Sequence, residues 1–123
     1  MKLTKNFSLS EFRSKDGSPT PAAVVGELQK LAENLQVLRD AISRLVKINS
    51  GYRSPEHNKK VGGARNSQHL LGKAADIAVT GMTPDQLKAI IEQLIAEGKM
   101  KNGGVGLYKT FVHYDTRDIP ARW

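Results

Sequence analysis

Val24, Leu28, Leu31, Leu35, Leu38, Ile42 and Leu45 recur at alternating spacings of four and three. That spacing lays them along one face of a helix, and a face so uniformly apolar has to be covered. Thr20 is placed to cap this helix and Pro21 to occupy its first position. Two copies could cover the stripe as a coiled coil. In a chain of 123 residues the predicted strands have little else to pack on, so the stripe is assigned to an internal core and a monomer is expected.

The other elements follow from local signals. Ser8-Leu9-Ser10-Glu11 has the form of a capping box flanked by Phe7 and Phe12 at staple positions, predicting a short helix whose phenylalanines serve packing. Residues 46–50 alternate and read as a strand closed by Gly51. Ser54-Pro55-Glu56 opens a short helix that Gly62-Gly63 stops, and 64–71 reads as a loop. Residues 74–79 form a second strand. Thr83 to Gln86 is a further capping box, before an amphipathic helix carrying Leu87, Ile90, Ile91, Leu94 and Ile95. Residues 103–108 and 111–115 predict two strands joined by a turn at Lys109-Thr110. The expected fold is α+β, a small and mainly antiparallel sheet backed by helices, in one domain over 1–123.

Folding at this length buries roughly two thirds of the unfolded chain's surface, enough for a core without staples. There is no cysteine, which excludes disulfides and thiolate metal sites; any metal must be held by nitrogen and oxygen. The net charge of +7, from 19 basic and 12 acidic residues, favours an anionic partner. The basic residues are scattered, densest at Lys59-Lys60 with Arg65 and at Lys99-Met100-Lys101, and aromatics are not interleaved with them. No nucleic-acid partner is therefore expected. No segment approaches the ~20 apolar residues of a membrane span, and the first residues lack the apolar run of a secretory signal.

Chemistry concentrates in Ser67-Gln68-His69-Leu70-Leu71-Gly72-Lys73-Ala74-Ala75-Asp76 and in Phe111-Val112-His113-Tyr114-Asp115. Alternation on a strand puts Asp76 on the face opposite Ala75, Ile77 and Val79, with small Ala74 and Ala78 beside it. Phe111, His113 and Asp115 likewise share a face. If the two strands are neighbours, Asp76 and His113 can meet one ion, with His69 reaching it from the loop and Gly72 allowing the sharp return into the strand. Two imidazoles and a carboxylate leave one tetrahedral position open, the arrangement of a catalytic zinc site. Zinc would make hydroxide available from bound water near neutral pH. Asp115, two residues from His113 on the same face, is the candidate for moving the proton. His57 falls outside the pattern, beside Glu56, and reads as a surface residue.

The combined pattern Ser-x-His-x-x-Gly-x-Ala-x-Asp followed by Phe-Val-His-x-Asp closely resembles the zinc D-alanyl-D-alanine carboxypeptidase and dipeptidase family that acts on bacterial peptidoglycan peptides, in particular its small bacterial and phage branch. The resemblance runs from Phe7-Ser8-Leu9-Ser10-Glu11-Phe12 through Ser50-Gly51-Tyr52-Arg53-Ser54 to Trp123. It implies a Zn2+ ion on His69, Asp76 and His113, with Arg53 binding a substrate carboxylate or stabilising the developing oxyanion. Ser67 either hydrogen-bonds substrate or shapes the loop. One departure stands out: many members carry an acid three residues before the last histidine, where this chain has Thr110.

The expected function is thus a zinc metallopeptidase cutting peptidoglycan stem peptides, as a carboxypeptidase or an endopeptidase. Such an enzyme acts at the cell wall, and a chain without a signal would reach it by a phage lysis route or a dedicated exporter. Thr110 keeps an alternative open, a non-catalytic zinc-containing module that binds the wall or signals.

Overall fold

A computed structural model describes residues 1–123. Its long helix, α1, spans Ala22–Ile42, with Leu28, Leu31, Leu35 and Leu38 wholly buried. The predicted cap is displaced by one residue: Pro21 keeps an extended backbone and Ala22 opens the helix. The far end is shorter than the stripe. Ser43 turns into the left-handed region (φ 52°) and ends the helix, so Leu45 lies beyond it and is 74% exposed. An apolar residue at helical spacing joins the core only while the helix lasts.

Five strands follow, interspersed with two shorter helices: β1 (Lys47–Ser50), α2 (Pro55–Lys60), β2 (Ala74–Ala78), α3 (Pro84–Ala96), β3 (Gly104–Leu107), β4 (Val112–Asp115) and β5 (Ala121–Arg122). The sheet order is β1-β2-β4-β3-β5, antiparallel except for the parallel edge pair β3–β5. The fold is α+β, as the sequence predicts. One-turn 3-10 helices occupy Leu9–Phe12 and Gln68–Leu71, the second falling in what the sequence suggested was plain loop.

The capping signals act as read. Thr83 Oγ1 accepts from Gln86 N (3.1 Å) and Gln86 Oε1 accepts from Thr83 N (2.9 Å) at the start of α3. Ser54 Oγ accepts from His57 N at the start of α2 (3.1 Å). Phe7 and Phe12 pack with ring centroids 6.0 Å apart, both buried in the core.

Strand alternation divides the sheet into two faces. Ala75, Ile77, Val105, Val112 and Tyr114 join the leucines of α1 and Leu87, Ile91 and Leu94 of α3 in one cluster of 21 buried residues. Asp76, His113 and Asp115 lie on the opposite face. A register slip in β1 between Ile48 and Ser50 sets Ser50, rather than Asn49, against Asp76. Gly72 turns the chain into β2 at φ +73°, and a Cβ there would lie 2.9 Å from Val24 Cβ and 3.0 Å from Val24 O. No helix is long and apolar enough to cross a membrane.

Candidate metal centre

Asp76 and His113 are directly opposed across the β2–β4 ladder, and His69 comes from the one-turn helix that precedes β2. Ser67 caps that turn, its Oγ accepting from His69 N (3.2 Å), so its hydroxyl shapes the loop. One ligand atom from each of His69, Asp76 and His113 lies within 4.8 Å of the others, and all three residues are buried.

The outer hydrogen bonds of the imidazoles fix where their lone pairs point. His69 Nδ1 lies 2.7 Å from Gly51 O, which can only accept, so Nδ1 carries the proton. His113 Nε2 donates to Asp115 Oδ2 (2.7 Å). The inner nitrogens, His69 Nε2 and His113 Nδ1, then aim lone pairs at Asp76 Oδ1 from 3.2 and 3.1 Å. Three acceptors facing one another underground need positive charge between them. The donor set, two imidazoles and a carboxylate with both rings oriented by outer partners, fits zinc.

Burial opposes ionisation of Asp76; when no ion lies between them the inner nitrogens can carry protons and donate to Asp76 instead, and those hydrogen bonds from His113 and His69 outweigh burial and hold its carboxyl well below the usual range. Burial likewise opposes protonation of His113, yet its bonds to Asp115 and Asp76 raise its pKa. Arg53 Nη2 reaches Asp76 Oδ2 (3.2 Å), while its Nε bonds Ser50 Oγ (3.1 Å) and its Nη1 bonds Asn58 Oδ1 (3.3 Å).

Asp115 sits differently from its sequence assignment as proton carrier. It is fully buried, and every group around its carboxylate is a donor. Oδ1 accepts from Gly104 N (2.9 Å), Arg117 N (3.1 Å) and Arg117 Nε (2.9 Å); Oδ2 accepts from His113 Nε2 and Arg117 Nη2 (both 2.7 Å). These bonds keep it ionised against burial. A carboxylate held in this way orients the His113 ring. Thr110 lies in the β3–β4 turn and His57 on α2, outside the cluster.

Four contributors were not picked out from the sequence. Arg117 brackets Asp115 and lies over the Trp123 ring, 5.1 Å from its centroid. Trp123 packs beside His113 (centroids 4.9 Å) and donates from Nε1 to Tyr108 Oη (2.8 Å). Gly104 and Gly106 supply room: a Cβ at the first would strike the Asp115 carboxylate, and at the second the Trp123 indole at 2.5 Å. Glycines at alternate strand positions are the one sequence signal that could have pointed to this close approach. Arg117 and Trp123, with Tyr108 and Phe111, border a cleft of about 420 Å³ that is also lined by residues between Val61 and Gln68 and by His69, Asp76 and His113.

A model of the Peptidase M15 family matches residues 5–115. This chain belongs to that family. The M15 match takes in His69, Asp76, His113, Arg53 and Asp115, and stops short of Arg117 and Trp123. Over 81 residues the chain is 37% identical to the probable peptidoglycan L,D-endopeptidase MepK of Haemophilus influenzae, covering 60% of this chain and 40% of that protein. Over 44 residues it is 46% identical to the zinc D-Ala-D-Ala carboxypeptidase of Streptomyces albus G, covering 35% of this chain and 17% of that protein. The chain thus spans two fifths or less of these curated relatives. Among solved structures, the L-Ala D-Glu endopeptidase ChiX of Serratia marcescens is similar with a TM-score of 0.49 and 16% identity, over 80% of this chain and 89% of that one.

Proposed function

We propose that this M15 chain is a zinc-dependent peptidase that hydrolyses peptide bonds in the stem peptides of bacterial peptidoglycan. The observation that carries this reading is the convergence of two lone-pair nitrogens on Asp76 Oδ1, each fixed by an outer acceptor. The names of the two curated relatives support the substrate class.

His69 Nε2, Asp76 Oδ1 and His113 Nδ1 would hold the ion. Zinc bound there would supply a Lewis acid and lower the pKa of a water molecule. Gly51 O and Asp115 keep the two imidazoles in the tautomers that ligation requires. Arg53 occupies the second oxygen of Asp76, leaving the first for the metal, and its remaining N–H groups favour a substrate oxygen that gains negative charge. Ser67 sets the loop that carries His69. Asp115 acts here by positioning His113.

One observation favours a second reading, a zinc module that binds the wall without cutting it. The cleft lining has no carboxylate besides Asp76: Thr110 stands where the family resemblance implies an acid, and Asp115 is committed to His113 and Arg117. Zinc content measured together with amine release from purified peptidoglycan, before and after chelation, separates the two. Chelator-sensitive release by a zinc-bearing chain supports the peptidase, and product masses name the bond. Bound zinc with wall affinity and no release supports the module. A chain that takes up no zinc refutes both.

A further inference from the structure

The cleft carries two guanidinium groups, and they are tied down differently. All three nitrogens of Arg53 have protein partners, and its side chain is only 15% exposed. Arg117 spends Nε and one Nη2 proton on Asp115, while Nη1 makes no hydrogen bond within the protein. Its side chain is 27% exposed and lines the cleft. The side-on edge of this guanidinium is therefore locked against a buried carboxylate, and its Cζ lies over the Trp123 ring, 5.1 Å from the centroid. The end-on edge, Nη1 with the second Nη2 proton, is left free.

A guanidinium edge is matched in shape and charge to a carboxylate, which it binds through two parallel hydrogen bonds. Arg117 is already ordered by Asp115 and Trp123, so little side-chain freedom remains to be lost on binding. The cleft walls add no opposing negative charge, since Asp76 is turned toward the histidines and Asp115 is buried beneath Arg117.

We propose that Arg117 is a specificity residue that binds a free carboxylate on the substrate close to the scissile bond, so that the enzyme prefers acidic peptides to their amidated counterparts. This deepens the peptidase reading and rests on it.

The test uses two matched pairs: acetyl-L-Lys-D-Ala-D-Ala with its C-terminal amide, and L-Ala-γ-D-Glu-L-Lys with the α-carboxyl of D-Glu free or amidated. The wild-type chain should cut the acid of at least one pair with kcat/KM about ten- to a hundredfold above its amide, the range of a hydrogen bond to a charged group. Arg117→Gln should bring that ratio close to one, and Arg117→Lys should leave an intermediate ratio. Each ratio compares two substrates within one variant, so partial loss of metal or fold cancels. An undiminished ratio in Arg117→Gln, or a wild-type enzyme indifferent to amidation in both pairs, overturns the inference. If no peptide is cut, the peptidase reading fails. Calorimetric titration of the zinc-loaded chain with the same pairs then decides the Arg117 inference separately: tighter binding of the acid, lost in Arg117→Gln, upholds it, and equal affinities overturn it.

Discussion

Replacing Asp115 by asparagine tests whether that carboxylate orients a ligand or carries a proton. Only donors surround it, so the amide NH2 must face donors whichever way the side chain is turned. With NH2 at the Oδ1 position, the backbone N–H groups of Gly104 and Arg117 both lose their acceptor. Each unpaired buried donor costs about 1–3 kcal/mol. With NH2 at the Oδ2 position, Arg117 Nη2 and His113 Nε2 are opposed; Arg117 Nε keeps its bond to Oδ1, and His113 escapes by moving its proton to Nδ1. The second orientation costs less, and it removes the lone pair that points at Asp76. Zinc affinity should fall about 10–100-fold, the usual effect of losing an outer partner of a ligand. The metal-free fold should lose roughly 1.5–3 kcal/mol with its charged hydrogen bonds. Competition against a chromophoric chelator measures the first and urea unfolding the second. Wild-type zinc affinity combined with lost turnover would refute the positioning role and return Asp115 to proton transfer.

Removing a ligand outright, as in His69→Ala, should abolish both zinc retention and amine release; full activity in the zinc-free variant would contradict the metal assignment. Gly72→Ala places a Cβ at φ +73° within 3.0 Å of the Val24 backbone oxygen, and unfolding should show a loss of about 2–4 kcal/mol from the left-handed backbone and the overlap combined. Asp16 accepts hydrogen bonds from Ser54 Oγ, Ser18 N and Ser18 Oγ, which hold its carboxyl far below the ordinary carboxylate pKa. Its stabilising effect is therefore complete above the unfolded-state pKa and fades as pH falls toward the folded value. Asp16→Asn should unfold with a flatter dependence on acid than the wild type between neutral pH and pH 3.

The facing of Asp76 and His113 was legible because strand alternation is strict: both had to face away from the apolar residues beside them. Their direct opposition was less legible, since β4 reaches β2 by running between it and β3, an order that no local pattern encodes. The role of Asp115 depended on residues distant in kind as well as in place. An exposed-looking Arg117 closes over it, and Gly104 withholds a side chain to admit it. Sequence spacing put Asp115 on the correct face without revealing what fills that face. Leu45 fails for the opposite reason, because the periodicity continues past the point where Ser43 breaks the helix.

The inward lone pairs of His69 and His113 have a consequence for how the site loads. When no ion is there, the bonds that raise the pKa of His113 favour a proton on Nδ1, facing Asp76. Under the zinc assignment proposed above, metal uptake would be an exchange, with that proton released to solvent as zinc enters. Acid and metal compete for one position, so affinity weakens as the medium acidifies. The number of protons released is countable from titrations in buffers of different ionisation enthalpy.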